Sequence, residues 1–196
     1  MSKRIKLIVG LGNPEGEYAL TRHNAGYWFV DALAEKLSLS FSQDKKFHSE
    51  LCHYKSNDLD CWLCKPSTYM NESGTAVQAL VNYYKLELSE LLVVHDEIDL
   101  DVGNLRFKIG GGHGGNNGLR DIIGKIGSRE FNRLRIGVGH PGDPKKVTSY
   151  VLSRPNNKDK TNIMISINTV IEKTENIFDG KIDELMNDNN KRNKVN

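Results

Sequence analysis

The hydrophobic positions of this chain change period several times, and each change predicts an element. Residues 5–11 (Ile-Lys-Leu-Ile-Val-Gly-Leu) form an almost unbroken apolar run, the pattern of a strand covered on both faces. Gly12-Asn13-Pro14-Glu15-Gly16 is turn chemistry. From Asn24 the residues Ala25, Trp28, Phe29, Ala32, Leu33 and Leu37 recur at helical spacing. Residues 47–55 and 59–65 predict two strands joined at Ser56-Asn57-Asp58, a hairpin signal. Pro66 starts a loop, and a helix follows Asn71 with Val77, Leu80, Val81 and Tyr84 on one face.

The second half repeats the alternation. Residues 91–95 are a second buried-strand run, ending in Asp96-Glu97. Residues 105–109 alternate Leu, Arg, Phe, Lys, Ile, as a half-buried strand does. Leu119, Ile122, Ile123 and Ile126 follow a helical pattern. A further strand covers residues 134–138, with Gly137 inside it, and residues 147–152 read as a short strand or a helix start. Ile163, Ile167, Val170, Ile171, Ile177 and Phe178 mark a C-terminal helix. Strands alternating with helices, apart from one hairpin, predict the α/β class: one three-layer domain with a twisted, mixed, mostly parallel sheet flanked by helices. No internal repeat or linker divides the 196 residues, a length that suits one domain. The expected domain covers residues 1–186, and the polar residues 187–196 are expected to fray. In such folds ligands sit beyond the carboxyl ends of parallel strands. Asn13 and Asp96 follow two such ends and face one crevice on this reading.

The stretch 110–118, Gly-Gly-Gly-His-Gly-Gly-Asn-Asn-Gly, stands out, with six glycines in nine residues. Glycine admits positive φ and close approach by another molecule, at a cost in chain entropy. Pinned between a strand and a helix, it reads as a binding loop rather than slack chain. A net charge of +2 does not by itself announce nucleic acid. Local grouping says more: Arg106, Lys108, Arg120, Lys125, Arg129, Arg133 and Arg135 surround the glycine loop, and Lys145 and Lys146 follow. A basic rim there favours a phosphate-bearing partner. The apolar runs are far shorter than a membrane span, and the N-terminal one is too short for a signal peptide, so a cytoplasmic protein is expected.

Several chemistries drop out. Gly10-Leu11-Gly12-Asn13-Pro14-Glu15-Gly16 misses the dinucleotide fingerprint, with Glu15 where the third glycine belongs and Pro14 in the turn. The glycine loop lacks the Gly-Lys-Ser/Thr of a P-loop. No Gly-x-Ser-x-Gly is present, and Ser73 is a weak substitute. Cys61 and Cys64 fall three apart in a strand and so point to opposite faces, as buried thiols rather than a metal half-site. His95, His113 and His140 with Asp96, Glu97, Asp99 and Asp101 lack ligand spacing for a metal. Water activated by a histidine, itself held by a carboxylate, remains as a route to acyl transfer. His23 precedes the first helix. Read alone, Asp96 could simply cap a turn, Asn71 cap a helix and Lys108 be a solvated strand residue.

The motifs then join. Residues 8–14 (Ile-Val-Gly-Leu-Gly-Asn-Pro), Tyr18, 21–26 (Thr-Arg-His-Asn-Ala-Gly), 65–74 (Lys-Pro-Ser-Thr-Tyr-Met-Asn-Glu-Ser-Gly), 95–100 (His-Asp-Glu-Ile-Asp-Leu), Lys108 with 110–121, and 133–141 (Arg-Leu-Arg-Ile-Gly-Val-Gly-His-Pro) occur in this order. The set closely resembles the bacterial-type peptidyl-tRNA hydrolase family over nearly the whole chain. The resemblance implies hydrolysis of the ester between a peptide, or an N-blocked aminoacyl group, and the 3′-terminal ribose of tRNA, which recycles tRNA from prematurely released chains. It also implies a monomer acting without metal or other cofactor. His23 matches the catalytic histidine that takes a proton from the attacking water, and Asp96 the carboxylate that supports it. Asn13 matches the residue that tells blocked from free aminoacyl groups, where a free ammonium would be left desolvated with poor partners. Asn71 matches an asparagine that orients water or donates to the oxyanion. Met70 lines the crevice on this match. Tyr18 and Tyr69 match aromatic substrate contacts suited to stacking on an unpaired base, and Asn117 a substrate-binding asparagine. Lys108 and Arg133 match residues that engage tRNA phosphates. Asn116 departs from the pattern, in which histidine is common. Its presence implies that a second histidine there is dispensable, or that the acceptor stem is handled differently.

Overall fold

The computed structural model describes residues 3–56 and 58–192. The first apolar run forms β1 (Leu7–Gly10), followed by α1 (Ala25–Lys36). Next come β2 (Ser42–Asp44), β3 (Ser49–Lys55), β4 (Asp60–Pro66) and α2 (Ser73–Tyr84). The second half holds β5 (Leu91–Glu97), β6 (Leu105–Ile109), α3 (Asn117–Ile126), β7 (Asn132–Gly137) and α4 (Val147–Val151). It ends in α5 (Asn157–Ile171), α6 (Thr174–Phe178) and α7 (Ile182–Arg192).

The seven strands form one sheet in the order β2-β3-β4-β1-β5-β7-β6. The central pairs β4·β1, β1·β5 and β5·β7 are parallel, and the pairs at both edges are antiparallel. The expected mixed sheet with a parallel centre is therefore present. Alternation along the central strands fills both faces. Ile8, Leu92, Val94, Leu134 and Ile136 pack under α1 and the C-terminal helices, while Leu7, Val9, Leu91 and Val93 pack under α2 and α3. The cysteine pair divides in the same way, Cys61 to the first face and Cys64 to the second. Burial pushes the Cys64 thiol up to about 12, so it is an inert core group.

The structure corrects two local expectations. Ser42–Asp44 shows no apolar alternation, and becomes β2 through its ladder with β3. The single helix expected from Ile163 to Phe178 is two, α5 and α6, separated at Glu172 and Lys173, and α7 follows a turn at Gly180 (φ +68°) where a side chain would strike the Lys3 carbonyl. Residues 187–192 of the expected tail continue α7, and residues 193–196 lie outside the described residues. Residues 147–152, left open between strand and helix start, hold the short helix α4. Of the Ser56-Asn57-Asp58 turn, Asn57 lies outside the described residues, and the Ser56 N–H bonds the Leu59 carbonyl at 2.9 Å.

One backbone contact positions the crevice. A Cβ on Gly26, in the first turn of α1, would collide with the Leu11 nitrogen beyond β1 and the Val94 carbonyl of β5. Only glycine lets the helix start that close to the sheet. The turn just before α1 is thereby placed at the carboxyl ends of β1 and β5, where the chain's crossovers diverge to opposite faces. Gly26→Ala is expected to lower unfolding free energy by about 1–3 kcal/mol through overpacking. Gly16→Ala, with open space around it, should stay within about 0.5 kcal/mol. Urea titration of both variants checks the contrast.

Candidate active site

Three segments far apart in sequence meet at those strand ends. The Arg22–Asn24 turn brings in His23, β5 brings in Asp96, and the loop after β1 brings in Asn13. All three line a cleft of about 330 Å3. His23 Nδ1 lies 3.0 and 2.9 Å from the two carboxylate oxygens of Asp96. A carboxylate only accepts, so Nδ1 carries the proton and Nε2 presents its lone pair to the cleft. Burial draws the pKa of the imidazole down, but the charge and hydrogen bond of Asp96 outweigh it and the net direction is up.

Asp96 is only 4 % exposed. Besides His23 it accepts from the side-chain amide of Asn116, 3.0 Å from Oδ1. The neighbouring His95 has a different environment. Its Nδ1 donates to the Asp96 backbone carbonyl at 2.7 Å, its Nε2 is buried without a partner, and burial lowers its pKa. With no carboxylate on its ring, His95 lacks the support that His23 has.

Asn13 is held by a reciprocal pair. Its N–H donates to Asn24 Oδ1 at 2.9 Å, and Asn24 Nδ2 donates back to the Asn13 carbonyl at 3.0 Å. Its own Oδ1 accepts the Met70 N–H at 2.8 Å. The acceptor end of the Asn13 amide is thus taken, and its NH2 end is left for a carbonyl in the cleft. Met70 is buried beside Gly118, where an added Cβ would crowd its sulfur. Asn71 is exposed, lines the cleft and makes no cap bond to α2, so the cap reading does not hold. Ser73 is fully buried and donates to the Met70 carbonyl at 2.8 Å, which removes it as a nucleophile.

Tyr69 and Asn117 also line the cleft, and the Tyr69 hydroxyl bonds the Glu15 carboxylate. Tyr18 is half-buried on the turn leading to His23 and is not among the lining residues. The far wall comes from α4, through Val147, Thr148, Val151 and Leu152. Arg22, which sequence reading passed over, ties this wall to the histidine turn. Its buried guanidinium donates to Ser153 Oγ at 2.7 Å and to the carbonyls of Ser153 and Arg154 at 3.2 and 3.1 Å.

Arg133 is a correction. It was expected on tRNA phosphates, yet it is 2 % exposed. Its guanidinium donates to the Gly112 carbonyl at 2.6 Å and to the Gly111 carbonyl, and lies over the Phe131 ring. It braces the glycine loop from beneath. The reason is register: Arg133 pairs with Val93 of β5 and faces the side that the loop covers. Lys108, opposite Arg133 on β6, remains partly exposed beside Gly111. Asn116 was not singled out as a site residue. A local cue exists, since an asparagine opening a helical pattern predicts a cap, but its second bond to Asp96 has no local signature. Among the described residues no three His, Cys, Asp or Glu side chains converge to hold a metal ion, and no helix is long and apolar enough to cross a membrane.

Known proteins share this arrangement. The family model for peptidyl-tRNA hydrolase matches residues 7–196. The peptidyl-tRNA hydrolase of Neisseria meningitidis serogroup A is 48 % identical over 184 residues, covering 94 % of this chain and 96 % of that protein. The Coxiella burnetii enzyme is 48 % identical over 186 residues, covering 95 % and 97 %. The crystal structure of peptidyl-tRNA hydrolase from Acinetobacter baumannii superposes with a TM-score of 0.92 at 42 % identity, covering 97 % of this chain and 96 % of that one. With the motifs, the sheet order and the cleft all in agreement, the chain belongs to the peptidyl-tRNA hydrolase family, hydrolases of the ester bond of peptidyl-tRNA.

Proposed function

We propose that the cleft cleaves the ester by water attack, with His23 as general base. The buried His23–Asp96 pair carries this reading. A water held by Nε2 gives up its proton as its oxygen attacks the ester carbonyl, and Asp96 stabilises the imidazolium that forms. The Asn13 NH2 reads the carbonyl next to the blocked α-nitrogen. A free α-ammonium there would meet a donor instead of an acceptor, which disfavours unblocked aminoacyl-tRNA. Asn71, unencumbered at the mouth, orients the water or donates to the tetrahedral oxyanion. Tyr69, with Tyr18 nearby on the preceding turn, offers an aromatic face to the terminal bases, and Asn117 fixes the 3′ end.

The acceptor end of tRNA approaches over the glycine loop. Lys108 supplies a phosphate contact, with Arg135 and Arg106 on the same face of the sheet beside it. Arg133 contributes by holding the loop rather than by touching phosphate. A full set of groups from one chain supports action as a monomer, and a substrate made during translation supports a place in the cytoplasm.

His23→Ala is expected to reduce turnover of N-acetyl-aminoacyl-tRNA by about 10³-fold while leaving tRNA affinity nearly unchanged. The unacetylated substrate run beside it tests the selectivity, and full activity in this variant would remove His23 from the chemistry. In the wild type, activity should rise with pH as the imidazole loses its proton, at a pH above that of an ordinary histidine because its pKa is raised. Asp96→Asn removes the charge that raises it and leaves the lowering effect of burial. The acid limb of kcat/KM should then move to lower pH and kcat fall by about 10²-fold; an unmoved limb would exclude Asp96. Lys108→Ala should weaken tRNA binding and reduce the salt slope by about one. An unchanged slope would place Lys108 off the RNA path.

A further inference from the structure

Asp96 is buried at the end of β5, with no Lys or Arg in ion-pair contact among the described residues. Its oxygens are served by His23 Nδ1 and by Nδ2 of Asn116. A carboxylate out of water depends on such donors to stay charged and in place. The Asn116 amide cannot turn over. Its Oδ1 accepts the Leu119 N–H at 3.1 Å and caps α3, so its NH2 end must face Asp96. The glycine loop that ends at Asn116 is held at its other end by Arg133. The amide therefore presents its N–H from a fixed frame.

We propose that Asn116 is a positioning residue for the hydrolysis: its N–H holds Asp96 in the orientation that keeps His23 Nε2 aimed at the attacking water. This rests on the assignment of His23 and Asp96 as base and support. The same bond draws part of the carboxylate's charge away from the imidazole and tempers its basicity. Other titratable or charged groups surround the pair. His95 precedes Asp96 on β5, Glu97 follows it and is paired with Arg135, and His113 lines the cleft from the glycine loop. Arg22, beside His23, is turned onto Ser153 and Arg154. None of these donates to the Asp96 side chain among the described residues, so Asn116 has no substitute there.

Asn116→Ser separates a positioning role from a purely structural cap. Serine caps a helix as well as asparagine does, so thermal stability should hold. It removes the amide that reaches Asp96, however, and adds no charge. With N-acetyl-aminoacyl-tRNA, kcat should fall by about 10-fold or more, the lower end of a proton-transfer effect, with KM nearly unchanged. The acid limb of kcat/KM should move to higher pH, because a carboxylate relieved of the amide bond holds the imidazolium more firmly. Asn116→Ala, measured in the wild-type and Asp96→Asn backgrounds, completes a double-mutant cycle. Its effect on kcat should largely vanish once Asp96 has been replaced. Wild-type kcat in Asn116→Ser, or an alanine effect of equal size in both backgrounds, would overturn the proposal. Full activity in His23→Ala would instead mark failure of the underlying assignment, because then no base remains for Asn116 to position.

Discussion

A carboxylate removed from water without a cation beside it is an unfavourable arrangement that proteins keep only where its hydrogen bonds are satisfied. Asp96 is in that situation, and the surrounding structure follows from it. An arginine or lysine at this point would have stabilised the charge more simply. It would also have neutralised the field that raises the pKa of His23. Two N–H donors, one from an imidazole and one from an amide, keep the charge without cancelling it. His95, one residue earlier, makes the contrast: it is also buried, but it bonds a backbone carbonyl and its pKa is pushed the other way.

The geometry around the carboxylate is fixed mostly by backbone groups. Gly26 seats α1 against β1 and β5, which puts the histidine turn in place. Asn13 and Asn116 each have one end of the amide assigned by a main-chain partner, so the other end points where the fold directs it, while Asn24 spends both ends on the Asn13 backbone. Amides oriented in this way need little reorganisation as charge moves, which is the basis of electrostatic preorganisation. Arg22 and Arg133 extend the scheme with buried guanidinium groups bonded to backbone carbonyls and, for Arg22, to Ser153 Oγ, one holding the α4 wall and the other the glycine loop.

Basic residues around the glycine loop divide into two kinds by the depth at which they sit. Arg133 is structural because a covered strand position leaves a long side chain nowhere to go but the carbonyls above it. Lys108, near the edge of the same face, keeps its ammonium near solvent. A nearly neutral protein can thus present cations to an RNA end locally, without the global positive charge of a general nucleic-acid binder.

Local pattern carried much of this protein. The apolar runs at residues 5–11 and 91–95, the helical spacing after Asn24 and the cluster of glycines before Leu119 identify the main strands, helices and glycine loop, because each depends on periodicity or backbone freedom within a few residues. Six motifs in fixed order were enough to identify the family and to name His23, Asp96, Asn13 and Asn71, which the fold brings to one cleft. Tertiary structure alone decided what depends on partners distant in the chain. Ser42–Asp44 is a strand only because β3 offers a free edge, and the chain turns before α7 at Gly180, where only a glycine fits against Lys3. Arg133 and Lys108 look alike in sequence and differ only in what covers them. Asn116 reads as a cap from its neighbours, while the partner that gives its second bond meaning lies 20 residues away on another element. A side chain's type sets the bonds it can make, but only the packed fold sets which groups are near enough to make them.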